Sequence, residues 1–282
     1  MFTAVDPLFP MWGDPRISVK TEGKYMKNHL QELITKGKVA LGAQLRMGVP
    51  AIAELFAAAG FDYIILDGEH APQTPVGIQA QLQAVNGYAC TPLVRFGRND
   101  PDEIRLALDM GAGGVVIPLL KTAAEVEKLV QACHYPPRGT RSYGPSRAYQ
   151  YGFDRHYYPR SQPSLVTMII VETAEAVDNI DEILAVDGLD TFVLGLADLS
   201  VALGAPLDYG HPSVEAAVER VLTAAQKVGK PAGVSFYPDQ MQLMQKRIEQ
   251  GARVLMVGGD EWMLYESCKK MIDNAAPLRK GR

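Results

Sequence analysis

Short runs of β-branched and other apolar residues alternate with longer segments whose apolar positions recur every three to four residues. The short runs fall at 40–46, 62–67, 91–96, 114–119, 165–171, 191–195, 231–235 and 253–257, and each is predicted as a strand. The intervening segments, among them 101–110, 122–133, 174–185, 213–228 and 239–250, carry the 3.6-residue period of amphipathic helices. Thr122 and Glu125 have capping-box spacing at the start of one, and Gly60, Gly111, Gly229 and Gly251 each follow a helical segment where a left-handed residue is wanted. Strand–helix alternation requires a parallel sheet covered by helices, and eight repeats favour closure into a (β/α)₈ TIM barrel. A doubly wound open sheet is the alternative, because periodicity does not report closure.

Two stretches break the rhythm. Residues 1–24 contain three prolines and three aromatic residues without periodicity, and read as an irregular arm or a disordered leader to a single domain over 25–282 that ends in a helix. Residues 134–163 hold six of the twelve tyrosines and five arginines. A connection of that length is usually functional. It reads either as a substrate-side lid offering Arg138, Arg141 and Arg147 to anions, or as a Tyr- and Arg-rich contact between subunits.

Composition narrows the function classes. A net charge of −4 gives no electrostatic reason to expect nucleic acid or an anionic membrane as partner. No apolar run approaches the roughly 18 residues that cross a bilayer. The N-terminus lacks the basic and apolar regions of a signal peptide. Three scattered cysteines suggest reduced thiols and a cytoplasmic location.

In a (β/α)₈ barrel the chemistry sits at the C-terminal strand ends. Those positions carry Gln44 and Arg46, Asp67–Gly68–Glu69–His70, Arg95, Glu172, Gly195–Leu196–Ala197–Asp198, Ser235 and Asp260. Glu172 and Asp198 lie on neighbouring strands, which run ~4.8 Å apart, so the two carboxylates are candidates to share Mg²⁺ or Mn²⁺. Solvated carboxylates at a loop rim are the plainer reading. His70 is a candidate metal ligand or, more in keeping with its isolation, a proton-transfer group oriented by Asp67. Arg95 stands in an apolar strand and needs an anionic partner, either a substrate carboxylate or enolate, or Asp67 or Glu69. The amide groups of the turn at Gly195–Asp198 open a helix and are candidates to hold a carboxylate.

The blocks FDYIILDGEHAP (61–72), PLVR (92–95), NDP (99–101), YPPRGTRS (135–142), VET (171–173) and ADLS (197–200) resemble the HpcH/HpaI family of metal-dependent pyruvate aldolases, in order and spacing from about residue 25 to 270. The resemblance implies reversible cleavage of a 4-hydroxy-2-oxo acid to pyruvate, or a close analogue, and an aldehyde. It implies a divalent metal (Mg²⁺ or Mn²⁺, with Co²⁺ also admissible) on Glu172 and Asp198 and no organic cofactor. Arg95 would stabilise the enolate, and His70, held by Asp67, would move a proton. Gly195, Leu196, Ala197, Asp198 and Arg141 would contact substrate. Asp109 matches an aspartate acting across a subunit contact in a hexamer with exchanged C-terminal helices. Ile170 and Leu196 depart from the family's Gln and Pro in the keto-acid pocket. A Schiff-base aldolase would need a strand lysine, and Lys121 comes nearest. A CoA-thioester lyase, a phosphonopyruvate-type hydrolase and a non-catalytic carboxylate-binding protein are the remaining alternatives.

Overall fold

The computed structural model describes residues 28–154, 156–161, 163–236 and 240–279. The arm expected over 1–24 lies outside them. In chain order the elements are α1 (His29–Thr35), β1 (Ala40–Leu45), α2 (Pro50–Ala59), β2 (Tyr63–Asp67), α3 (Pro75–Ala84), β3 (Thr91–Arg95), α4 (Pro101–Asp109), β4 (Gly114–Ile117) and α5 (Ala123–Cys133). There follow α6 (Tyr157–Ser161), β5 (Val166–Val171), α7 (Ala174–Asp178), α8 (Ile180–Leu184), β6 (Thr191–Leu194) and α9 (Leu196–Ala202). The chain closes with α10 (Pro212–Val228), β7 (Ala232–Phe236), α11 (Met241–Glu249), β8 (Ala252–Gly259) and α12 (Asp260–Arg279).

All neighbouring strands are parallel, and β8 pairs with β1, so the sheet is a closed barrel rather than an open sheet. Sequence chemistry explains the helix starts. α2, α3, α4 and α10 each open with proline, which needs no N–H partner in the first turn. α5 opens with the expected capping box at Thr122 and Glu125. The single helix expected over 174–185 is broken at Asn179, whose side-chain amide instead donates to the Lys121 carbonyl at 2.9 Å.

Strand parity divides the core. One set of side chains (Tyr63, Ile65, Leu93, Val116, Met168, Ile170, Val193, Val254) fills the barrel interior, with Leu30 and Ile34 of α1 plugging its N-terminal end. The alternate residues (Ile64, Leu66, Val94, Val115, Ile169, Leu194) pack outward against the helices. Gly42 is required by this filling: a Cβ there would lie 2.2 Å from the Tyr63 ring. The same parity carried to the strand ends turns Gln44, Asp67, Arg95 and Glu172 toward the barrel axis.

The described part of 134–163 is not a lid over this barrel's own strand ends. α5 runs back from the C-terminal strand ends, so the segment after it lies on the opposite face. There Arg147 donates to the carbonyls of Met110 (2.6 Å) and Leu82 (3.1 Å), near the C-termini of α4 and α3. Arg138 faces Asp187 at 3.4 Å in an exposed pair. Tyr135, Tyr143, Tyr149, Tyr157 and Tyr158 cluster on one another, with the Tyr135 and Tyr158 rings stacked 5.4 Å apart.

Candidate active site

Asp67 is the hub of the C-terminal face. It is fully buried and is the register partner of Arg95 across β2–β3. Arg95 grips it with two bonds, Nε to Oδ1 at 2.9 Å and Nη2 to Oδ2 at 2.5 Å. Gln44 donates to Oδ2 at 2.5 Å and Arg46 Nε at 3.1 Å, while the backbone N–H groups of Glu69 and His70 donate to Oδ1. Burial alone would raise the carboxyl's pKa, but the Arg95 guanidinium, the His70 amide and Gln44 override it and hold the group well below the usual carboxylate range.

This arrangement revises the expectation for His70. Asp67 binds its backbone rather than its imidazole. The ring is half exposed, with Nε2 3.6 Å from Glu69 Oε2. Glu69, noted from sequence only as a possible partner of Arg95, is a full member of the cluster: its Oε2 lies 3.0 Å from Arg95 Nη1. That contact is an ion pair without hydrogen-bond alignment, since Oε2 makes no hydrogen bond.

Glu172, one residue beyond β5, is buried and accepts the Leu119 N–H at 2.9 Å. Leu119 holds a φ of 60°, a left-handed conformation uncommon for leucine, and nothing in the sequence marked it. Desolvation raises the Glu172 pKa to about 7; the Leu119 amide and Arg95 oppose the shift, and the charges of Asp198 and Glu69 add to it. Asp198, in the first turn of α9, is exposed at the mouth. Gly195 is obligatory between them, because a Cβ there would come 2.8 Å from both Glu172 Oε2 and Ile170 Cγ2. Ile170 thus forms an apolar floor beneath the carboxylate.

Charge balance bears on a metal. Asp67, Glu69, Glu172 and Asp198 bring four carboxylates to one strand-end cluster, against the two guanidinium groups of Arg46 and Arg95. The surplus matches a divalent cation, and such a cation would relieve the repulsion from Asp198 and Glu69 that adds to the desolvation of Glu172. Among the described residues no group of three or more His, Cys, Asp or Glu is disposed to hold a metal. Glu172 and Asp198 are candidates for a two-carboxylate donor set with other positions left to water and substrate, a set that suits hard, oxygen-seeking ions. Asp260, fully engaged, accepts the N–H groups of Arg46 and Met47 and ties the end of β8 to that of β1. A cavity of about 460 Å³ opens beside the cluster.

Two expected site residues are not in this cluster. Asp109 ends α4 on the opposite face, where Arg141 Nη2 binds its Oδ1 at 2.6 Å. Arg141 is buried there, its guanidinium carbon 4.5 Å from the centre of the Tyr135 ring. Lys121 is near the mouth but half exposed and 3.4 Å from Glu175, without the burial that would make it a nucleophilic amine.

Comparison with known proteins agrees with the barrel fold. The family model "HpcH/HpaI aldolase/citrate lyase" matches residues 45–266. The chain belongs to the HpcH/HpaI aldolase/citrate lyase family. A 2-keto-3-deoxy-L-rhamnonate aldolase of Escherichia coli is 38% identical over 243 residues, covering 85% of this chain and 90% of that protein. Among solved family structures, an HpcH/HpaI aldolase/citrate lyase family protein from Burkholderia cenocepacia superposes with a TM-score of 0.83 at 30% identity, over 88% of this chain and 99% of that one. An HpcH/HpaI aldolase from Desulfitobacterium hafniense gives 0.81 at 30% identity, over 87% and 95%. Membership makes the chain a carbon–carbon lyase of the metal-dependent, class II aldolase type, as its resemblance implied.

Proposed function

We propose that the chain reversibly cleaves a 4-hydroxy-2-oxo acid to pyruvate, or a close analogue, and an aldehyde, using Glu172, Asp198, Arg95 and His70. The observation that carries this reading is the axial cluster in which Glu172 stands beside Asp198, Glu69 and Arg95 with an excess of negative charge. Glu172 and Asp198 would hold Mg²⁺ or Mn²⁺, with Co²⁺ as a further candidate. When bound, the cation supplies Lewis-acid polarisation of the keto oxygen.

The chain's own groups do the rest. Arg95, fixed by Asp67 and Glu69, presents positive charge where the enolate oxygen develops, at no cost of reorganisation. In cleavage the C4 hydroxyl proton passes to the His70 imidazole and the C3–C4 bond breaks. Its electron pair becomes the enolate, the aldehyde forms at C4, and His70 returns the proton to C3 to give pyruvate. The Gly195 N–H is committed to the Val171 carbonyl at 3.1 Å, so the amide groups of Leu196 and Ala197 would be the ones to receive the keto-acid carboxylate.

Asp109 and Arg141 would serve at a site only by reaching the strand ends of a second copy. A homo-oligomer is supported by the exposure of Leu264, Met271, Ile272 and Leu278 along α12 and by the tyrosine-rich face. No helix among the described residues is long and apolar enough to cross a membrane. Free cysteines at 90, 133 and 268 support a cytoplasmic location.

The test is metal-dependent cleavage by Glu172→Ala. Loss of ~100-fold or more in kcat/KM is expected if Glu172 is a metal ligand; full activity retained by this variant would sink the assignment. Borohydride treatment with pyruvate is expected to trap no adduct, and an adduct on Lys121 would favour Schiff-base chemistry instead.

A further inference from the structure

The cavity beside the catalytic cluster has walls that the cleavage chemistry does not use. Leu196 and Ala197 form the side it shares with the proposed keto-acid pocket. Across from them stand Tyr209, Phe236, Trp262 and Tyr265, with Met256 among them. These rings come from the segment after α9, from β7 and from the first turns of α12, so three separate elements bring aromatic surface to one space. A cavity of ~150 Å³ accommodates benzene. This one, at about 460 Å³, has room for a ring-sized group beside the keto acid.

Charge decides what kind of group. Among the described residues, Arg46 is the one cationic side chain lining the cavity, and it is already engaged. Its Nε lies 3.1 Å from Asp67 Oδ2 and its Nη1 3.8 Å from Glu261 Oε2. Asp260 and Glu261 add two carboxylates to the same wall. An acceptor bearing its own carboxylate would meet like charge and, among these residues, no unengaged cation. Gln44, Ser235 and Gln240 also line the cavity, and a small hydroxyaldehyde held by them would leave most of the aromatic wall uncovered. From these facts, and resting on the aldolase reading above, we infer that the aldehyde half of the substrate is neutral and carries an aromatic or comparably bulky apolar group, held chiefly by Trp262 and Phe236. Aromatic and Met side chains together give such a group both apolar burial and favourable ring contacts.

The test compares benzaldehyde, glycolaldehyde and succinic semialdehyde as acceptors for pyruvate with the metal-loaded protein. Benzaldehyde is expected to exceed both others in kcat/KM by about tenfold, the scale on which an apolar pocket discriminates one or two carbon groups. That benzaldehyde-to-glycolaldehyde ratio is expected to collapse in Trp262→Ala. The exposed Tyr265→Ala serves as a second variant should the first fold poorly. Preference for either other aldehyde, or an unchanged ratio in both variants, overturns the inference. Binding of benzyl alcohol, followed by ligand-observed NMR, needs no turnover, and its absence would also overturn the inference. Deuterium exchange at C3 of pyruvate reports the enolate chemistry separately. Benzyl alcohol binding without exchange would support the cavity assignment and sink the aldolase reading; exchange without aromatic preference would do the reverse.

Discussion

Replacing Asp67 with asparagine removes the charge on which the catalytic face is assembled. The fully buried carboxylate accepts Arg95 through two bonds, Arg46 and Gln44 through one each, and two backbone N–H groups. Asparagine keeps the shape but offers one acceptor oxygen and turns an N–H₂ group toward cationic donors. Arg95, only 6% exposed, would then keep Glu69 as its remaining anionic partner. Breaking a buried ion pair costs about 3–5 kcal/mol. The Glu69 contact at 3.0 Å compensates part of it, so the lower end, about 3 kcal/mol, is expected. For a chain of this size that lowers Tm by roughly 6–12 °C. Urea unfolding and thermal melts of Asp67→Asn, Arg95→Met and the double variant measure it. The double variant is expected to lose less than the sum of the singles, because the methionine leaves no stranded charge. His70→Ala, at a half-exposed ring, is expected to change stability by less than about 0.5 kcal/mol. A loss below about 1 kcal/mol for Asp67→Asn, or strict additivity of the pair, would refute the view of Asp67 as the structural hub.

Glu172, with a pKa raised to about 7 when no cation is present, must lose a proton to bind one. Metal affinity is therefore expected to fall as pH drops below 7, by about tenfold per unit, in calorimetric titrations. Glu172→Gln is expected to bind weakly with no such slope, and an equal slope in that variant would count against the assignment. Because ionisation of this group is disfavoured in the folded apo-protein, its contribution to apo stability is present near pH 4 and lost as pH rises through about 7. On the opposite face, Arg147→Ala removes donors from the Met110 and Leu82 carbonyls. A loss of about 1–3 kcal/mol in unfolding free energy is expected, with catalytic constants unchanged apart from any oligomer effect.

Much of this protein is written locally. Eight apolar runs and the helices between them follow from side-chain period, and the strand limits agree with the periodicity to within two residues at every end. Parity along a strand is local too. A residue two positions beyond an inward side chain is also inward, and Asp67, Arg95 and Glu172 were legible as site candidates because they fall at the C-terminal ends of predicted strands. The blocks around them were specific enough to indicate the family.

Other features depend on distance in space rather than in sequence. Closure of β8 on β1 brings Asp260 to the amides of Arg46 and Met47, residues more than two hundred positions away. The Asp67 partner is Arg95's guanidinium rather than the His70 ring, because cross-strand register places those two opposite each other. The left-handed turn at Leu119, which aims an N–H at Glu172, has no glycine or asparagine to announce it. The arginines of 134–163 were visible as composition, but composition carries no direction. The course of α5 back across the barrel decided that Arg138, Arg141 and Arg147 face away from the chemistry of their own chain. Local sequence determines the elements and their faces, since those depend on backbone sterics and on burying one side of each element. Which faces meet, and so which charges pair, is decided only when the sheet closes.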